Sequence, residues 1–129
     1  MRAIRSYGNK TTELRLKAIL HQHAIGGWTL HDNTVLGTPD FHFRNDRVAL
    51  FVDGCFWHGC PKCGHIPRTN RAYWRTKLSR NRRRDARITR QLQRLGFSVV
   101  RLWECDLRRY PSTCLRRIER ALNKGQARR

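Results

Sequence analysis

Apolar positions in this chain fall into short blocks, and their period changes from block to block. Asn9-Lys10-Thr11-Thr12 supplies a helix cap, after which Leu14, Ala18 and Ile19 recur at helical spacing until Gly26-Gly27. The pattern loosens over residues 28–35, and Gly37-Thr38-Pro39 reads as a turn. Residues 40–43 alternate an acid and a histidine with two phenylalanines. Arg44-Asn45-Asp46 makes another turn, and residues 48–52 (VALFV) are a continuous apolar run typical of a buried strand. The two segments predict an antiparallel hairpin whose ends carry Asp40 and Asp53. Residues 70–95 read as one long basic helix, with Trp74, Leu78, Ile88, Leu92 and Leu95 on its apolar stripe and Gly96 at its end. Residues 97–103 (FSVVRLW) form a further strand. Pro111 opens a last helix with Leu115, Ile118 and Leu122 facing inward, and residues 125–129 are expected to fray. No internal repeat or interdomain linker interrupts this order. It predicts a single α/β domain over residues 1–129, with a small central mixed sheet flanked by helices.

The charge balance narrows what such a domain would bind. The chain has 28 Lys and Arg against 9 Asp and Glu, a formal net charge of +19 over 129 residues. Charge that lopsided costs self-repulsion in the compact state and makes most sense beside a polyanion. Nucleic acid is the leading partner, because each neutralised phosphate releases counterions. A ribosomal-type or merely soluble basic protein is the bland alternative. No apolar run reaches membrane-spanning length and the first residues lack a signal-peptide core, so a cytoplasmic setting with reduced thiols is expected.

In that setting five cysteines point to metal more than to disulfides. Cys55, Cys60 and Cys63 lie within nine residues, close enough to share one tetrahedral ion. Cys60-x2-Cys63 is a knuckle-like pair with Pro61 and Gly64 to suit its tight backbone. Cys105 is the best fourth ligand, because its strand could lie beside the one ending at Val52; His58 and His65 are local alternatives. Cys114 sits in an amphipathic helix and reads as a small buried hydrophobe. Four thiolates would leave no place for a reactive water, so the ion, Zn2+, would be structural.

A second metal is suggested by the acids. Thr38-Pro39-Asp40, an apolar strand and then Asp53 resemble the PD…(D/E)xK arrangement of metal-dependent nucleases. Acids at neighbouring strand ends can share a hard cation such as Mg2+, which binds a phosphate and activates water. The expected lysine is missing, since Gly54 and Cys55 follow Asp53.

TPDF, FVDGCFWHGC, PRTNRAYW, the helix with Asn81 and Asp85, and RLWEC together closely resemble the very short patch repair (Vsr) endonucleases. The resemblance covers nearly the whole chain. It implies a PD-(D/E)XK restriction-endonuclease-like fold, one structural zinc, and a Mg2+-dependent site that nicks double-stranded DNA 5′ of the thymine in a T·G mismatch. Such mismatches arise when 5-methylcytosine deaminates.

By the same resemblance, Asp40 matches the catalytic aspartate and metal ligand, and Val52 a position that offers its backbone carbonyl to the metal. His58 matches a catalytic histidine, and Glu13 a glutamate that reaches the metal shell through water. Cys55, Cys60 and Cys105 match zinc positions, Cys60 in place of a histidine, while Cys63 is displaced by one residue. Phe56, Trp57 and Trp74 match aromatics that wedge into the base stack. Arg80, Arg82, Arg83, Arg84 and Arg87 are expected to contact phosphates. Asp53 stands where the best-known members carry a histidine, which makes it a candidate second metal ligand. The chain begins at Met1-Arg2-Ala3-Ile4, without the arm that members use in the minor groove. A monomer is expected, with mismatch-repair proteins as further partners.

Each of these roles has a plainer rival. Asp40 could cap a turn, His58 could be a zinc ligand or core residue, and Glu13 could serve the helix dipole. Phe56, Trp57 and Trp74 could be core, and the arginines a solvated face. Two functional alternatives follow: the same nuclease chemistry used in restriction or defence without mismatch selectivity, and a non-catalytic zinc module that binds nucleic acid.

Overall fold

The computed structural model describes residues 10–56, 60–63 and 66–128. Within them, α1 (Lys10–Gln22) leads into β1 (Trp28–Leu30), β2 (Phe41–Phe43) and β3 (Val48–Asp53). The long α2 (Arg71–Arg94) then crosses to β4 (Ser98–Trp103), followed by α3 (Glu104–Arg109) and α4 (Pro111–Arg128). The strands form one sheet in the order β1-β2-β3-β4. β1, β2 and β3 pair antiparallel, whereas β3 and β4 run parallel in the register Val52↔Leu102 and Asp53↔Trp103. A parallel pair needs a long crossover, and α2 supplies it.

The predicted hairpin is therefore present, and β3 is buried along its whole length. Helices cover both faces of the sheet. On one side Leu16 and Leu20 of α1, Leu107 of α3, and Ile118 and Leu122 of α4 pack against Phe41, Phe43, Leu50, Val52, Val100 and Leu102. On the other, Leu92 and Ile88 of α2 meet Val35, Ala49, Phe51 and Val99. Each fully buried Leu or Phe contributes roughly 1.5–3 kcal/mol. Among the described residues no helix is long and apolar enough to cross a membrane.

Several local expectations are corrected. The inward face of α1 is Thr12, Leu16 and Leu20; Leu14 is 60% exposed and Ala18 is exposed. Both sets fit a helical period, and docking against α3, where the Thr12 hydroxyl donates to the Glu104 carboxylate at 2.9 Å, selects the second. β1 forms inside the stretch where the pattern loosened, held by pairing with β2. His42 was expected to alternate with buried phenylalanines, yet it is buried as well, with Nδ1 2.8 Å from Asp32 Oδ2. Leu95 is exposed, because Gly96 with φ +97 turns the chain away just after α2. The inward face of α4 is Cys114, Ile118, Ala121 and Leu122, with Leu115 half-buried.

The last helix runs to Arg128, past Gly125 where fraying was expected. A Cβ at Gly125 would lie 2.3 Å from the Asp46 carbonyl oxygen, so the helix backbone rests directly on the β2–β3 turn. Gly125→Ala is accordingly expected to destabilise the fold by about 1–3 kcal/mol, since backbone cannot retreat as a flexible side chain can. Urea denaturation measures this, and an unchanged midpoint would mean that the helix end is not docked.

Candidate active site and metal centre

In open α/β sheets the ligand crevice forms outside the carboxyl ends of the parallel strands. Here that is the end of β3 and β4. A cavity of about 360 Å³ lies there, lined by Asp40, Val52, Asp53, Arg84, Asp85 and Arg101 among others. Asp40 precedes β2, and its Oδ2 accepts the Val52 N–H at 2.7 Å. That bond folds the carboxylate onto the end of β3. Burial pushes Asp40 up to about 6, and the charges of Asp53 and Glu13 add to the effect. The Val52 N–H and His31 work in the opposite direction without cancelling it. A carboxylate held this way gains from any cation that neutralises it.

Glu13 of α1 reaches the same region through His31. The His31 Nε2 is 3.1 Å from Glu13 Oε1 and 3.8 Å from Asp40 Oδ1. Its backbone N–H donates to the Asp40 carbonyl at 3.1 Å, from a left-handed conformation with φ +46. Such backbone in a non-glycine residue costs free energy and tends to cluster at functional sites. Sequence reasoning missed His31, because it lies where periodicity fails and only its fold neighbours give it a role.

Asp53 points to a different neighbour. Its Oδ1 accepts the Arg101 Nη1 at 2.9 Å. Arg101 also donates from Nε to Thr89 Oγ1 at 2.8 Å, and its guanidinium lies 4.1 Å from the centre of the Phe51 ring. Arg101 was missed too, although an arginine inside FSVVRLW was a visible anomaly.

The cysteine cluster forms as expected. The sulfurs of Cys55, Cys60, Cys63 and Cys105 all lie within 4.8 Å of one another. Cys105 enters because β4 runs parallel to β3, which places it beside the loop leaving Asp53. Burial pushes the thiols of Cys55 and Cys105 up. At Cys60 burial acts the same way but is outweighed by the N–H groups of Cys63 and Lys62 and by the neighbouring thiols, which bring it to about 7. Four clustered sulfurs cannot all ionise without a cation, and such a set could hold a metal ion. Cys114 is buried in α4, outside this cluster.

Phe56 and Trp74 meet edge to face with ring centres 5.4 Å apart, both half-buried. Arg80, Arg82, Arg83, Arg84 and Arg87 are all exposed along α2. Arg80, Arg83, Arg84 and Arg87 line a groove with Lys77 and Asn81. Trp57, His58, His65 and the first four residues lie outside the described residues.

The family model described as DNA mismatch endonuclease Vsr matches residues 1–63. The DNA mismatch endonuclease Vsr of Escherichia coli K12 is 36% identical over 110 residues, which are 84% of this chain and 69% of that protein. The chain belongs to the Vsr family. Other relatives within reach of this Vsr chain are named type II nicking enzymes. V.XorIIP of Xanthomonas oryzae pv. oryzae is 39% identical over 110 residues, 83% of this chain and 78% of that enzyme. V.NaeI of Lentzea aerocolonigenes is 48% identical over 66 residues, 51% of this chain. The chain spans only 40% of the length of V.NaeI.

Proposed function

We propose that this Vsr-family chain is a Mg2+-dependent DNA endonuclease that nicks one strand of duplex DNA 5′ of the thymine in a T·G mismatch. The observation that carries the reading is the Asp40–Val52 clamp. It ties a carboxylate to the end of β3 in a crevice that Val52 also lines, next to a helix bearing exposed arginines. Oxygen donors of this kind suit a small hard cation. Asp40 and the Val52 carbonyl would hold Mg2+, and Glu13 would join through water. When bound, such an ion binds the scissile phosphate and lowers the pKa of a water.

The chain's own groups do the remaining work. Asp40 supplies negative charge at a fixed place, because its carboxylate is tied to β3. Glu13 and His31 brace Asp40 from α1 and from the turn before it. His58 is the candidate for proton transfer near the phosphate. The arginines of α2 would take backbone phosphates of the duplex. Phe56 and Trp74, with Trp57, would wedge beside the mismatch, where unstacking costs least. The fold is of the PD-(D/E)XK type in this reading, and the four-cysteine cluster holds a structural Zn2+. The protein acts as a monomer, with mismatch-repair proteins as further partners.

A second reading keeps the nicking chemistry, the activity for which V.XorIIP and V.NaeI are named, but uses it in restriction or defence without mismatch selectivity. Matched and T·G-mismatched duplexes of one sequence, incubated with Mg2+, separate the two. The mismatched duplex is expected to be nicked on its T strand and the matched one left whole. Equal cutting of both would overturn the repair reading, and no cutting of either would overturn the nuclease reading.

A further inference from the structure

Arg101 is out of place by the ordinary logic of a sheet. Its strand runs between apolar residues, and its side chain is only 20% exposed. A charge removed from water needs partners. Three are present, and they come from two different elements. Asp53, at the end of β3, accepts from Nη1 at 2.9 Å. Thr89 of α2 accepts from Nε at 2.8 Å, and the Asp85 carbonyl of α2 lies 3.5 Å from Nη2. The Phe51 ring beneath fixes the plane of the guanidinium.

The two elements joined in this way do different jobs. β3 ends in Val52, whose N–H clamps Asp40. The turn of α2 that carries Asp85 and Thr89 also carries Arg83, Arg84 and Arg87, which line the basic groove. Arg84 borders both that groove and the crevice with Asp40. Elsewhere on this face α2 packs against the sheet through the apolar side chains of Ile88 and Leu92, a contact without direction. Near the crevice, the guanidinium fork provides fixed geometry.

We propose that Arg101 is a positioning residue for strand cleavage, joining Asp53 on β3 to Thr89 and Asp85 on α2. It sets the distance between the helix that grips DNA and the carboxylate that holds the metal. In this arrangement Asp53 serves Arg101 and is not a metal ligand. The inference rests on the reading of Asp40 as the metal-site carboxylate. A reacting phosphate misplaced by about 1 Å can lose about 10²-fold in rate, so a loose tie would be felt in turnover more than in affinity.

Three variants test this, with Asp40→Ala as control. Thr89→Val removes the short bond to α2, leaving only the long contact with the Asp85 carbonyl on that side and the ion pair with Asp53 in place. Arg101→Lys keeps the charge without the fork, and Asp53→Asn removes the acid. Thr89→Val and Arg101→Lys should bind duplex DNA with wild-type affinity yet cut it roughly tenfold or more slowly at saturating DNA. The Mg2+ concentration for half-maximal rate should be unchanged in all three. The double variant Asp53→Asn/Arg101→Lys should be no slower than the slower single one, because the residues act as a unit.

A lowered melting temperature with a wild-type rate, measured well below melting, would make the contact structural only and overturn the proposal. An Asp53→Asn variant that needs much more Mg2+, while Arg101→Lys does not, would make Asp53 a metal ligand and overturn it as well. If Asp40→Ala still cuts, the site itself has been misread. If Asp40→Ala is inactive but Thr89→Val and Arg101→Lys cut normally, the role of Arg101 alone fails.

Discussion

Replacing Asp40 by asparagine is expected to end DNA cleavage and, at neutral pH, to make the metal-free protein more stable. Both effects follow from one placement. The carboxylate is mostly buried against Val52, with Asp53 and Glu13 near enough to oppose its charge, and it is pushed up to about 6 from a usual 3.8. A group raised on folding contributes full stability only below its unfolded pKa, and that stability is lost as pH rises through the folded one. Ionising Asp40 at pH 7 therefore costs the fold up to about 3 kcal/mol. Asparagine is neutral, and its side-chain carbonyl can still accept the Val52 N–H. The variant should gain about 1–3 kcal/mol at pH 7, and the gain should vanish below about pH 4, where Asp40 is protonated in both states.

The catalytic cost has the same origin. Mg2+ is bound by charge, and a neutral amide supplies too little of it. A loss of about 10²–10³-fold or more in nicking rate is expected. Denaturation of both proteins in chelator across pH 4–8, beside a single-turnover nicking assay, checks the pair of effects. An asparagine variant that cuts normally would remove Asp40 from the metal site. One that is inactive but no more stable would mean that the carboxylate is better solvated than its burial implies.

How much of this was legible in the sequence depended on the range of the interactions. The hairpin of β2 and β3 was legible because VALFV needs only burial, and its ends brought Asp40 and Asp53 to one edge. The approach of Cys105 followed from the same strands, since WEC continues β4 past the end of β3. The buried face of α1 was not legible, because Leu14 and Leu16 both fit a helical period and the choice between them lies in α3. The burial of His42 was hidden for a related reason. Alternation implies a wet face, but α2 covers that face, and Asp32 then answers the ring at 2.8 Å. His31 and Arg101 were the costliest omissions. One depends on a left-handed turn, the other on partners from Asp53 to Thr89, and local pattern encodes neither.

Cys105→Ser is expected to do more harm than the loss of one buried sulfur. Cys55 follows Asp53 by two residues, and Cys105 follows Trp103 by two, while Asp53 and Trp103 are partners in the parallel pair. A Zn2+ held by Cys55, Cys60, Cys63 and Cys105 would therefore pin the ends of β3 and β4 together beside the crevice. The remaining core is built from two apolar clusters that do not include this knot, so the sheet should survive its loss. The variant should lose about 3–5 kcal/mol, a fall of roughly 10–20 °C in melting temperature, together with most of the one zinc expected per chain. Cleavage measured well below melting should also fall, because Val52 and Asp53 lose their anchor. Cys114→Ala is the matched control, a buried cysteine in α4 whose loss should leave the zinc in place. Metal analysis, calorimetry and the nicking assay on both variants decide the matter. Equal zinc in Cys105→Ser and wild type would exclude Cys105 as a ligand. Zinc loss with undiminished cleavage would show that the knot stabilises the chain without positioning its active site.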